Sequence, residues 1–218
     1  MHLAIFDLDN TLLAGDSDHS WGQFLAGTGA VDGAAYAAQN QVFYEDYQRG
    51  TLDIDAFLRF SLAPLARFSV DELLAWRREF IETVITPLVT DKARALVEQH
   101  RARGDELLII TATNYFVTEP IAALFGIEHL LATRPEMKDG RYTGNYQGVP
   151  TFQAGKQTAL AAWLATRGEQ PERTWFYSDS RNDLPLLEAV DHPVAVDPDP
   201  VLRARAQAAG WPIISLRD

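Results

Sequence analysis

Phe6-Asp7-Leu8-Asp9-Asn10-Thr11-Leu12-Leu13 sets two aspartates one residue apart, directly behind an apolar run. Residues 3–8, LAIFDL, have the continuous hydrophobicity of a strand buried on both faces. A carboxylate is almost never fully buried without a partner, so Asp7 and Asp9 at the mouth of such a strand call for a compensating charge. Similar runs recur at 107–112 (LLIITA), 174–178 (TWFYS), 193–196 and 212–216. Helical patterns fall between them at 90–103, 114–125 and 158–167, closing at Gly104, Gly126 and Gly168. The Pro-rich DPDP at 197–200 reads as a turn into a last helix. Strands alternating with helices of this length predict an α/β fold: a Rossmann-like, doubly wound parallel sheet covered on both faces.

Residues 17–86 break that rhythm. No strand pattern appears there; helical segments are expected at 18–28, 34–49, 53–67 and 70–84, the last opened by a capping box at Ser69. The block reads as an inserted helical bundle, with an apolar stripe of Phe24, Leu25, Phe43, Phe57, Leu58, Phe60 and Leu65 as its core. The division is then 1–15 and 87–218 for the α/β body and 16–86 for the insertion. Alternating polar and aromatic residues around Asp139-Gly140 predict a small antiparallel hairpin on the body at about 137–150.

Composition narrows the partners. The chain has 218 residues and a net charge of -11, with 47% hydrophobic residues. Such acidity disfavours nucleic acid or an anionic membrane as a partner. Cysteine is absent, which rules out disulfide and thiolate chemistry. No apolar run approaches a membrane span and the N-terminus lacks a signal-peptide pattern, so cytoplasmic residence is the expectation.

Ligands of open parallel sheets bind at the carboxyl ends of the strands. After the first strand come Asp7, Asp9, Asn10 and Thr11; after the second, Thr111, Ala112, Thr113 and Asn114. After the 174–178 strand comes SDSRND, with Asp179, Ser180, Asn182 and Asp183. Any one of these aspartates reads equally well as a turn or helix cap. Four together repel one another, and a divalent cation resolves the conflict. All-oxygen ligation suits Mg²⁺ shared with a phosphate, with a structural Ca²⁺ site as the alternative.

FDLDNTLL, Thr111 at a strand end, Lys156 in AGKQTAL and SDSRNDLP occur in the order of the four motifs of the haloacid dehalogenase superfamily, which the chain resembles over nearly its whole length. The insertion behind the first motif and the hairpin with Tyr142-Thr143-Gly144 are similar to the branch of phosphoserine and histidinol-phosphate phosphatases. The resemblance implies a Mg²⁺-dependent phosphomonoesterase acting on a small phosphorylated metabolite. It puts the nucleophile on Asp7 and the acid–base role on Asp9. Asp7, Asp9 through its carbonyl, Asp179 and Asp183 would form the metal environment. Thr111, Ala112, Thr113 and Lys156 would bind phosphate. Where the family often has glycine after the metal-binding aspartate, this chain has Ser180 and Arg181.

Substrate contacts are expected where body joins cap, in Gly15-Asp16-Ser17-Asp18-His19-Ser20-Trp21. Asp16 and Asp18 could meet an amine or imidazolium and His19 could hydrogen-bond it, against the plainer reading that Asp16 caps a helix and His19 and Trp21 pack in the bundle. Asn182 is a further polar candidate, and Tyr44, Glu45, Tyr47 and Arg49 are cap-face candidates. Transfer to an alcohol other than water, or a non-enzymatic phospho-aspartate signalling or binding protein, are the competing functions.

Overall fold

The computed structural model describes residues 1–168 and 170–217. β1 (His2–Phe6) lies mid-sheet, and Leu3, Ala4, Ile5 and Phe6 are wholly enclosed. It pairs in parallel with β2 (Glu106–Asn114) on one side and β5 (Arg173–Ser178) on the other. Beyond β5 lie β6 (His192–Val196) and β7 (Ile213–Ile214), both parallel. Beyond β2 lie β3 (His129–Lys138), parallel, and β4 (Arg141–Gln147), antiparallel to β3. Among the described residues the order is β4-β3-β2-β1-β5-β6-β7.

Period-two alternation splits the core into two layers. Leu3, Ile5, Leu108, Ile110 and Phe176 face one way, toward α7 (Ala154–Arg167), α8 (Leu184–Leu187) and α9 (Pro200–Ala209). Ala4, Phe6, Leu107, Ile109 and Tyr177 face the other, toward α5 (Asp91–Ala102) and α6 (Tyr115–Leu124). Each leucine, isoleucine or phenylalanine among them contributes roughly 1.5–3 kcal/mol when fully buried. The fold is the doubly wound α/β sheet that the strand pattern predicts.

Between β1 and β2 the chain forms α1 (Ser17–Thr28), α2 (Gly33–Arg49), α3 (Ile54–Leu62) and α4 (Val70–Phe80). Local chemistry sets their ends. Asp16 caps α1, Asp53 caps α3, and Ser69 with Glu72 forms a reciprocal capping box on α4. Pro64 turns the expected 53–67 helix into a 3-10 turn after Leu62, and α4 passes into a wide turn at Ile81–Ile85 before Pro87. Trp21 stacks on Phe24 and meets the edges of Phe80 at 5.1 Å and Phe116 of α6 at 5.9 Å. The bundle therefore shares one apolar core with the sheet's α5–α6 side. A bridge between Leu13 and Val89 joins the two chain crossings between body and insertion. Among the described residues no helix is long and apolar enough to cross a membrane.

The hairpin differs from expectation. Its first strand is no separate piece at 137 but the far end of β3, which begins at His129 inside the main sheet. The proline at 135 and the polar run after it hide this continuation in the sequence. The hairpin bends over the insertion, where Gly144 lies against Ala63 and Ala66 and the Tyr146 hydroxyl donates to Asp55 Oδ1.

α7 begins at Ala154, four residues earlier than the sequence pattern suggests, and its entry is tight. Gln153 takes a φ of 49°, and a Cβ on Gly155 would stand 2.0 Å from the Pro150 carbonyl oxygen. Only glycine fits there. Gly155→Ala is expected to cost about 1–3 kcal/mol, as overpacking does, and to displace Lys156 with it. Urea denaturation alongside an activity assay checks both effects; unchanged stability would mean that the 150–155 turn gives way freely.

Candidate active site

Asp7 leaves the end of β1 with its N–H bonded to the Tyr177 carbonyl at 2.9 Å, so β5 extends the sheet's hold into the loop. The loop then closes on itself, with Leu13 N–H donating to Leu8 O at 3.0 Å and Asn10 at φ 55°. Asparagine tolerates this left-handed turn better than most residues. The Arg217 guanidinium donates to the carbonyls of Asn10 and, at 3.4 Å, Thr11, tying the end of the chain to this loop.

The turn aims Asp7 and Asp9 in different directions. Asp7 Oδ1 accepts from Lys156 Nζ at 2.7 Å, and its Oδ2 lies 3.3 Å from Thr11 Oγ1. Asp9 Oδ1 accepts from Ser17 N–H at 2.6 Å, and its Oδ2 from Thr113 Oγ1 at 2.7 Å. Lys156, in the first turn of α7, is 2% exposed and bonds Asp183 Oδ2 as well, also at 2.7 Å. Ser178 Oγ donates to that same oxygen. Asp183, an alternative helix cap by sequence, makes no side-chain cap bond. Thr11 Oγ1 accepts from Asp179 N–H at 3.0 Å and has one proton to share between Asp7 Oδ2 and, at 3.2 Å, Asp179 Oδ1.

Charge does not balance here. Two buried carboxylates, Asp7 and Asp183, and the half-buried Asp179 face one ammonium. Burial first, then the neighbouring carboxylates, push Asp7 up to about 7 and Asp179 well above the carboxylate range. Burial, with Asp16 nearby, pushes Asp9 up to about 6. Burial pulls Lys156 down, but Asp183 and Asp7 more than offset this and hold it charged. Among the described residues no three carboxylates or imidazoles stand together as a finished ligand set; they lean on Lys156 and Thr11 instead. The donor set is nonetheless all oxygen and over-negative, which fits a hard divalent cation such as Mg²⁺.

Above Asp7 and Asp9 opens a cavity lined by Thr111, Ala112 and Thr113 from β2 and by side chains of the inserted helices. Asp16, Asp18 and His19 line it, so the structure brings these candidates to the site. Asp16 also plays the plain role, its Oδ1 accepting from His19 N–H at 2.8 Å. Burial first, with Asp7 adding, pushes Asp16 up to about 6; burial first, then Asp16 and Asp9, pushes Asp18 well above its ordinary value. Trp21 packs in the bundle, 2% exposed.

Other candidates lie elsewhere. Asp179 faces a separate open groove bordered by Tyr44, Tyr47, Asp197 and Arg217. Asn182 is engaged by protein, donating to the Tyr47 carbonyl at 3.0 Å and accepting from Gln153 Nε2 at 3.2 Å. Tyr44 and Tyr47 reach the cavity, whereas Glu45 and Arg49 pair with each other at the surface. Phe43 and Phe57, read from sequence as bundle core, pack on each other with centroids 5.5 Å apart and also line the cavity, with Asn40, Leu52 and Ile54. An apolar stripe looks the same whether it faces a neighbouring helix or a ligand space, so periodicity alone could not find them.

The model of the haloacid dehalogenase-like hydrolases matches residues 4–188. A histidinol-phosphatase of Neisseria meningitidis serogroup C is 52% identical over 99% of both chains. A phosphoserine phosphatase of Mycobacterium tuberculosis is 34% identical over 98% of this chain and 70% of its own. The solved structure of a protein of unknown function from Bordetella pertussis Tohama I superposes with TM-score 0.94, at 49% identity over 99% of both chains. The chain belongs to the haloacid dehalogenase-like hydrolase family. It is an enzyme of the phosphatase class.

The charge imbalance gives this hydrolase a pH signature. An aspartate raised from 3.8 to about 7 by burial keeps its proton in the folded state after the unfolded chain has lost it. Metal-free stability therefore falls as pH rises from about 4 to about 7. A divalent cation bound there would relieve that penalty, and Mg²⁺ at a large excess over its dissociation constant should then raise Tm by about 5–10 °C at pH 8 and far less at pH 5. Thermal scans with Mg²⁺ and with chelator check this. An equal shift at both pH values would detach the cation from the carboxylate cluster.

Proposed function

We propose that this hydrolase releases phosphate from a small, amine-bearing phosphomonoester through an aspartyl phosphate on Asp7, with Mg²⁺ as its cofactor. One observation carries the reading. The Asp7 carboxylate, held by Lys156 at 2.7 Å, sits beside Asp9 at the base of a cavity walled by Asp16, Asp18 and aromatic rings.

An Asp7 oxygen attacks phosphorus and the bond from phosphorus to the ester oxygen breaks. Asp9 gives its proton to the leaving alkoxide. A water then attacks the acyl phosphate, Asp9 takes its proton, and inorganic phosphate leaves with the Asp7 carboxylate restored. With Asp9 pushed up to about 6, it can both donate and accept near neutral pH. Its bonds to Ser17 N–H and Thr113 Oγ1 fix the carboxyl between two elements, which limits the motion needed in either step. The Thr111 hydroxyl, the Ala112 or Thr113 amide and the Lys156 ammonium face the phosphoryl oxygens and stabilise their charge. Asp7, the Asp9 carbonyl and Asp179 would hold Mg²⁺, with Asp183 behind them; when bound it neutralises the carboxylates and the phosphoryl charge. Residues 16–86 serve as the cap over residues 1–15 and 87–218.

The cap's charge selects among substrates. Among the described residues lining the cavity there is no lysine or arginine, while Asp9, Asp16 and Asp18 all face it. The ammonium of phosphoserine would meet opposite charge there, but its carboxylate would meet only like charge. A cationic leaving group without one, of the histidinol type, meets opposite charge, in keeping with the 52% relative.

Phosphate release from histidinol phosphate, phosphoethanolamine, phosphoserine and sugar phosphates tests this. With Mg²⁺, kcat/KM for histidinol phosphate should exceed that for phosphoserine by at least about 10-fold, the size of one charge mismatch. A preference for phosphoserine would refute the selectivity. Asp7→Asn should fold normally and lose at least about 10³-fold in kcat; activity near that of the parent would refute the covalent route.

A further inference from the structure

Asn40 is the one fully enclosed residue of α2, 3% exposed, and it is polar. A buried amide is costly unless its hydrogens are used. Its Nδ2 lies 2.8 Å from the His19 carbonyl oxygen and 3.2 Å from His19 Nδ1. A carbonyl only accepts, so the first contact fixes which end of the amide faces His19. The second hydrogen of the same nitrogen then points at Nδ1, which must present a lone pair. The tautomer with its ring proton on Nε2 meets that requirement. An imidazolium would set an Nδ1–H against the amide hydrogens, and burial likewise lowers the His19 pKa.

The helix crossing is built around this contact. A Cβ on Gly22 of α1 would lie 2.5 Å from Asn40 Nδ2, so only glycine opposite lets the amide in. On its other face the His19 ring stacks on Tyr44, with centroids 4.5 Å apart and planes at 29°. His19, Asn40 and Tyr44 all line the cavity over Asp9, as do Asp16 and Asp18.

We propose that Asn40 is a positioning residue for substrate selection: it locks His19 as a neutral, Nε2-protonated imidazole stacked on Tyr44, giving the cavity a flat wall with one fixed hydrogen-bond donor. The class of leaving group that uses both features carries a cationic amine for Asp16 and Asp18 and a planar nitrogen heterocycle whose ring nitrogen accepts from Nε2–H. This rests on the reading of the site as a phosphomonoesterase and goes beyond it, because the amine alone would need only the carboxylates.

Two measurements test it. Long-range ¹H–¹⁵N spectra of the wild-type enzyme at pH 7, with the His19 signals identified by their loss in His19→Ala, should show Nε2 protonated and Nδ1 bare. A protonated Nδ1 would overturn the proposal whatever the activity. The second is the ratio of kcat/KM for histidinol phosphate to that for phosphoethanolamine, which has the amine without the ring. Asn40→Ala should lower this ratio about tenfold, chiefly through KM, and should lower it no further in a His19→Ala background. A purely structural Asn40 would cost both substrates alike and would act equally in either background. Should Asn40→Ala not fold, His19→Gln, at a half-buried position, should lower the ratio in the same way. A wild-type enzyme inactive on every monoester would refute the phosphatase reading and leave the spectra to judge the tautomer. An active enzyme with an unchanged ratio would refute this inference alone.

Discussion

Lys156 brings a single ammonium into a space shared with Asp7, Asp179 and Asp183, and much of the molecule is arranged to keep it there. It bonds Asp7 at the end of β1 and Asp183 beyond β5, each at 2.7 Å, and so stitches two strand ends together from a third element. Such a bridge costs desolvation on all three groups and is poor as a source of stability. Its value is geometric. The tight 150–155 turn, with a glycine that admits no Cβ, is how the chain delivers the first turn of α7 to that point. The sheet supplies the rest, because parallel strands end together and set down their carboxylates within a few ångströms of one another.

The body of the fold was legible from residues alone because a parallel sheet writes its strands as continuous apolar runs. LAIFDL, LLIITA and TWFYS became β1, β2 and β5, and the motif residues after them meet at one sheet edge. β3 escaped because only its first half is buried, while its second half is polar and contains Pro135. The substrate wall escaped for another reason. Phe43 and Phe57 carry the same stripe that a bundle core would, and Asn40 and Gly22 are far apart in sequence, so their close approach exists only after α1 and α2 cross. Asp16 illustrates a third limit: capping a helix and facing a ligand are not rivals when the capped end opens on the cavity.

The two acidic groups of this site answer to different requirements. Asp7, Asp179 and Asp183 concentrate charge where a hard cation and a phosphoryl group would need it, and Lys156 leaves them deliberately short of neutral. Asp16 and Asp18 concentrate charge on the cap side, where no basic side chain lines the described wall. Asp9 stands between, bonded to Ser17 of the cap and Thr113 of the body. If Asp9 is the acid–base group, its place across that seam would make it sensitive to how the cap sits and would couple substrate enclosure to proton transfer.

The departure from glycine at Ser180-Arg181 belongs to the same coupling. Ser180 Oγ accepts from Asn182 N–H at 3.2 Å, and its own N–H donates to Ser178 Oγ at 3.1 Å, so the loop is wound tightly around the serine that also holds Asp183. Arg181 donates its N–H to Asp199 and lays its side chain against Gly50, where α2 ends, and Asn182 bonds the Tyr47 carbonyl of that helix. A glycine at 181 would remove the side chain that lies against Gly50 and leave the Asn182 bond to hold the end of α2. With Ser180 and Arg181 the segment that positions Asp179 and Asp183 is also the segment against which the end of α2 rests. Charge compensation at the sheet edge and the seating of the substrate wall then depend on one short turn.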